Sequence, residues 1–175
     1  MLSNRASAWY AIRVKSNRER ITAQSLQGKG FEVCLPRYSA TQGDPKAETP
    51  LFPGYVFSRF DPHRRLPILT IPGVVQIVSF GGVPQPVEES EMIALLGILK
   101  SGLPVIPYPI LPVGQTVCLK KGPLAGLCGV ILSHKQEARF VVSVTLLQRS
   151  VAVEVDRSWV GPVRHATAAQ GRASV

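Results

Sequence analysis

Pro50-Leu-Phe-Pro-Gly-Tyr-Val-Phe57 is the stretch on which the reading of this chain turns. Aromatic and β-branched residues favour a pleated, half-buried strand, so residues 51–60 are predicted to be extended. In a regular strand Tyr55 and Phe57 share one face. Phe52 then lies across the pleat unless Pro53-Gly54 kinks the backbone, as that pair is suited to do. Asp61-Pro62 follows at once and reads as a helix start.

Upstream, Trp9–Val14 is a β-rich run in which apolar and polar sites partly alternate. Ser16-x-x-Glu19 has the spacing of a capping box, so a helix is predicted over residues 17–27 with Gly28 and Gly30 as its stop. Residues 31–36 return as a strand, and residues 42–49 are polar and loop-like. Downstream, Pro67 fits a short helix only if it sits in the first turn. Residues 74–80 read as a strand ending at Gly81-Gly82. A helix then opens on Glu88, Glu89 and Glu91 and carries Met92, Leu95, Leu96 and Leu99 at core-facing spacing, with Lys100 and Gly102 closing it. Strands interleaved with three helices make the first part an α+β layer, a small antiparallel sheet covered by helices.

Pro104, Pro107, Pro109 and Pro112 crowd residues 103–112, which read as an extended linker. Beyond it, residues 113–120, 129–134, 139–145, 150–155 and 158–160 are short β-rich runs without helices, the pattern of a small β-barrel that closes its own edges. The predicted organisation is a first domain over residues 5–102, a linker over 103–112, a second domain over 113–163 and a tail over 164–175.

The 175 residues carry 20 Lys+Arg and 11 Asp+Glu, a formal net charge of +9, which favours a polyanionic partner. Residues 5–107 hold 12 basic and 8 acidic side chains and residues 111–163 hold 6 and 3, so neither part owns the positive character. A hydrophobic fraction of 45% excludes a mainly disordered chain. No apolar run approaches the roughly 20 residues of a membrane helix, and the N-terminus lacks the apolar core of a signal peptide. A soluble cytoplasmic protein is expected, without membrane contact. Three cysteines, Cys34, Cys118 and Cys128, lack C-x-x-C spacing and read as reduced, buried hydrophobes. His63, His134 and His165 are scattered, so neither a metal nor another cofactor is expected. No phosphate-loop or nucleophile-elbow motif is present. The three glutamates favour a helix start by charge alone, so no enzyme is expected.

Taken together, three stretches resemble the NusG/RfaH-like transcription elongation factors. Trp9-Tyr10 precedes a basic helix. Pro50–Phe57 is followed by Pro72-Gly-Val-Val75, Gly81-Gly-Val-Pro84 and an acidic helix start, which is similar to the family's NGN domain. Val113-Gly-Gln-x-Val117 and Lys121-Gly-Pro-Leu-Ala-Gly126-x-x-Gly129-Val-Ile131 resemble its KOW motif, continuing into Leu147-Gln-Arg149 and Val153-Glu-Val-Asp156. The resemblance covers residues 9–162 in order. The 51–57 and 146–155 stretches look most like the capsule-operon antiterminator (UpxY) paralogues. It implies an NGN-like sheet with helices, an SH3-like KOW barrel, and a monomer that binds the β′ clamp helices of bacterial RNA polymerase and suppresses pausing or termination. A ribosome- or RNA-associated KOW protein is the alternative, against which the NGN-like pattern stands.

The candidate polymerase contacts are Tyr10, Phe52, Pro53, Gly54, Tyr55 and Phe57, aromatic anchors of a kind common at interfaces; each aromatic alone fits core packing equally well. Arg13, Lys15, Arg18, Arg20 and Lys29 face one acid, Glu19, over residues 13–29. They fit a solvated helix face or a contact with upstream or non-template DNA phosphates. Arg64 and Arg65 form a smaller basic patch. In the resemblance, Leu146, Leu147 and Arg149 fall where the KOW domain meets Rho or the small ribosomal subunit. Leu147 and Gln148 depart from the aromatic and glycine found there in housekeeping members. On a strand, Leu146 and Leu147 would point oppositely.

Overall fold

The computed structural model describes residues 7–39, 48–108, 114–134 and 137–162. The elements are β1 (Ala8–Val14), α1 (Glu19–Gly28), β2 (Glu32–Cys34), β3 (Arg37–Ser39), β4 (Glu48–Pro50), β5 (Tyr55–Phe60), α2 (Leu66–Leu69), β6 (Val74–Ile77), β7 (Ser79–Phe80), β8 (Val83–Pro84) and α3 (Glu89–Lys100). They continue with β9 (Val105–Tyr108), β10 (Gln115–Leu119), β11 (Cys128–His134), β12 (Glu137–Val144), β13 (Arg149–Val155) and β14 (Val160–Pro162). The predicted tail at 164–175 and residues 42–47 of the predicted 42–49 loop lie outside the described residues, while Glu48 and Thr49, read as loop, pair with β3 as part of β4.

The first sheet has the order β2-β5-β1-β6 and is antiparallel throughout, with Ala11 opposite Phe57 and Arg13 opposite Tyr55. Strand alternation sorts its side chains cleanly. Tyr10, Ile12, Val14, Val56 and Phe60 face α1 and α2, where they pack with Ala23, Leu26, Ile68 and Ile71. Trp9, Ala11, Cys34 and Phe57 face the other way, into a core shared with Met92, Leu95 and Ile98 of α3. Pro67 sits in the first turn of α2, as it must for a ring that cannot accept a preceding helical turn.

The second sheet has six strands in the order β14-β10-β11-β12-β13-β9, all antiparallel. Its two outer strands do not pair with each other, so among the described residues the sheet is open and not the predicted closed barrel. The proline-rich stretch is not purely a linker either. Val105–Tyr108 pairs with β13, with Val151 opposite Pro107. An edge strand accommodates proline because one side of its backbone needs no hydrogen-bond partner. Proline at both edges, Pro107 and Pro162, blunts them against further strand addition.

Two further expectations are corrected. Cys118 and Cys128 are not free thiols: the β10–β11 register places them opposite one another and they form a disulfide, while Cys34 is free and buried. Helix α1 starts at Glu19, and its cap residue Arg18 makes no side-chain capping bond. The predicted capping box does not form because Asn17 is left-handed (φ 62°) and the Glu19 carboxylate is engaged elsewhere.

The two sheets form one packed body. Val117, Leu119, Leu124, Phe140, Val142 and Val151 of the second sheet and its turns join the α3 side of the first in a single core. Helix α3 thus packs against both, and Gly97 lies beside Leu127. A Cβ there would lie 2.7 Å from Leu127 Cδ1, so a glycine inside the helix, ordinarily costly by about 1 kcal/mol, makes room for a side chain of the second sheet. Glu91 on α3 accepts hydrogen bonds from the Thr145 backbone N–H (3.1 Å) and hydroxyl, tying the β12–β13 loop to the same helix.

Candidate functional site

The decisive stretch is a turn followed by a strand rather than one long strand. Leu51–Gly54 bends the chain, with Gly54 at φ +82°, and β5 starts only at Tyr55. Leaving the strand frees Phe52 from pleat alternation. It packs edge-to-face on Phe57, ring centroids 5.3 Å apart and planes at 88°, an arrangement that adds about 0.5–1.5 kcal/mol to the area buried. The turn is held from outside: the Gly54 N–H donates to Glu19 Oε1 at 2.9 Å, and the Val14 N–H donates to the Gly54 carbonyl at 2.8 Å.

These contacts divide the aromatic candidates. Phe52 and Phe57 are buried in the core shared with the second sheet. Tyr10 is also buried, on the opposite face of the first sheet, its ring tilted by 35° against Phe60 with centroids 4.7 Å apart. Burial, and secondarily the charge of Asp61, pushes its hydroxyl pKa up. Pro53 is exposed, and Gly54 and Tyr55 are half-buried. Six residues that look contiguous in sequence therefore present one short rim, Pro53–Tyr55, and not a single aromatic surface.

The basic candidates are split as well. Arg13 is on β1, Lys15 and Arg18 lie between β1 and α1, and Lys29 follows the last residue of α1, Gly28. At 1.5 Å per residue, the ten-residue helix separates its ends by about 15 Å. Arg20 is exposed on the first turn. Lys29 instead shares a cavity of about 600 Å³ with Arg64, next to Phe31 and Phe60. That joins it to the smaller basic patch that sequence spacing kept apart.

Leu146 and Leu147 are on a 3₁₀ turn, Thr145–Leu147, and not on a strand; Gln148 in the left-handed region (φ 49°) closes it. Their side chains accordingly do not alternate, and both pack against the shared core. Arg149 begins β13 and lays its guanidinium over the Tyr55 ring, 6.0 Å from the centroid. A cleft of about 640 Å³ runs along this seam, lined by Tyr38, Leu51 and Pro53 on one side and Tyr108, Leu147 and Arg149 on the other. Sequence reasoning treated the Pro53–Tyr55 rim and the Leu147–Arg149 loop as separate sites. Tyr38 and Tyr108 were missed, since neither stands in a motif.

The seam between the two sheets is lined by tyrosines, prolines and one arginine. Residues 7–96 match the family described as "NusG: Transcription termination factor nusG", and the chain belongs to the NusG family. That membership supports a role as a transcription elongation factor. The structure described as "Domain interaction in Thermotoga maritima NusG" is 24% identical, covering 88% of this chain and 96% of that one, with a TM-score of 0.51; it bears on the fold. "Crystal Structure of MjSpt4:Spt5 complex conformation A" aligns with 18% identity over 89% of this chain and 97% of that one, with a TM-score of 0.31. Among the described residues, no group of side chains is arranged to hold a metal ion, and no helix is long and apolar enough to cross a membrane.

Proposed function

We propose that this protein is an elongation factor of the antiterminating kind. Its first sheet binds the tip of the RNA polymerase β′ clamp helices, holds the clamp closed and suppresses pausing or termination. Its second sheet acts as a KOW module that recruits a further partner, Rho or the small ribosomal subunit. The mechanism is binding without bond chemistry. The observation that carries the reading is the family match over residues 7–96, which contains the Pro50–Phe57 stretch.

The arrangement of the two sheets adds a condition. Pro53 and Tyr55 sit against Leu147 and Arg149 across the seam, while Phe52 and Phe57 lie in the shared core. A partner that grips these aromatics must displace the second sheet, and a partner that grips Leu147 and Arg149 finds them accessible once it has moved. Polymerase binding and docking of the second sheet then exclude one another, and the free energy of one is subtracted from the other. In vitro transcription with purified polymerase, with and without the full chain, tests the reading: shorter pauses or more read-through are expected. Tyr55→Ala should lose polymerase affinity while remaining folded. A full-length protein that neither binds core polymerase nor alters pausing overturns the proposal.

A further inference from the structure

Arg149 is half-buried at the seam, and among the described residues its guanidinium has no carboxylate partner and no side-chain hydrogen bond. The Tyr55 ring orients it but uses none of its N–H donors. Arg13 is Tyr55's direct neighbour on β1 and is likewise without an ion-pair partner among the described residues. Both arginines, one from each sheet, line a single polar cavity of about 330 Å³, beside Ser16, Asn17 and Glu19. The one carboxylate there, Glu19, is held by the Gly54 N–H. The cavity therefore keeps an excess of positive charge and two sets of unused donors, and the start of α1 beside it lacks a side-chain cap.

We propose that Arg13 and Arg149 form a clamp for the phosphodiester backbone of nucleic acid, assembled only when the two sheets are docked. A planar guanidinium matches a phosphate through two parallel hydrogen bonds. Phosphate is favoured over a lone carboxylate because exposed Lys15 and Arg18 continue the positive charge beyond the cavity, as a polyanion of repeating charge requires. The consequence is linkage. Nucleic acid that uses both arginines binds the docked arrangement more tightly than the separated one and stabilises it by the difference. Arg149 thereby gains a role distinct from partner recruitment. The clamp goes beyond the proposed function and does not require polymerase.

The test uses the full chain alone and the fluorescence anisotropy of a short labelled oligodeoxynucleotide, single-stranded in one arm and duplex in the other. Arg13→Ala and Arg149→Ala should each weaken binding roughly ten-fold in at least one arm and lower the slope of log affinity against log salt by about one. The double variant should lose less than the product of the two, since they share a phosphate. Should Arg149→Ala fail to fold, Arg149→Gln, which keeps the stem against Tyr55, should show the same loss. Wild-type affinity and salt slope in the Arg149 variants, with loss confined to Arg13→Ala, would place the nucleic acid on the first sheet alone and overturn the proposal. Equal competition by poly-glutamate at matched charge would also overturn it. Because polymerase is absent, neither result bears on the clamp-helix reading.

Discussion

Glu19 reaches out of its own helix. Three residues after Ser16, it has the spacing of a local cap, yet its carboxylate holds the N–H of Gly54, 35 positions away. Local spacing shows that a carboxylate is wanted at that point; it cannot show which amide it serves, because the choice is made when β1 and β5 pair. Removing the acceptor strands a part-buried N–H, so Glu19→Ala should destabilise the protein by about 1–3 kcal/mol, read from the shift in urea midpoint, with Glu19→Gln losing less. Cys34 gives a second residue-scale prediction. Burial raises its thiol from the ordinary 9.0 to about 12. The fold favours the neutral form, so this contribution to stability is complete below pH 9.0 and lost as pH rises towards 12. Iodoacetamide should leave Cys34 unmodified in the native protein at neutral pH and label it once urea unfolds the chain.

At the scale of elements, periodicity located α3 well. Met92 and Leu95 are buried as their spacing required, with Leu96 and Leu99 packed at the margin. What the stripe could not convey is that a second sheet covers the helix too. The only sequence sign of this is Gly97, an interior glycine that helix propensity alone disfavours. Gly97→Leu should cost about 1–3 kcal/mol by overpacking against Leu127, and the cost should largely vanish in a Leu127→Ala background, a coupling measurable by a double-mutant cycle. Equally small absolute costs in both backgrounds would mean that the two residues do not meet. Prolines misled for a related reason: a run of them rules out a helix and a central strand, but a linker and an edge strand satisfy the same rule. Only the presence of a free edge on β13 decides between them.

At the scale of the whole molecule, the main strands and the three helices were legible in order, whereas the short strands β3, β4, β8 and β9 and the relation between the two sheets were not. Docking depends on side chains far apart in sequence, with Phe57 and Phe140 in one core and Gly97 beside Leu127, whose association leaves no local pattern. The same holds for Cys118 and Cys128, which gained their meaning from a strand register. Their disulfide closes a loop with a sequence separation of 10. Reduction should therefore cost up to about 2–3 kcal/mol by restoring freedom to the unfolded chain, seen as a lower urea midpoint in reductant that Cys118→Ser does not show.

Strand β9 also sets the length of a leash. With Val105–Tyr108 zipped to β13, only residues 101–104 join α3 to the second sheet. Such a span reaches at most about 14 Å, enough for the sheet to tilt open but not to travel. Peeling β9 away would add its own four residues to the link and extend its reach by at most about another 14 Å. Any opening of the sheets would thus fall into two ranges, separated by the loss of one short edge strand. Within the shorter range, the high local concentration of one sheet about the other favours rapid re-closure whenever a partner lets go.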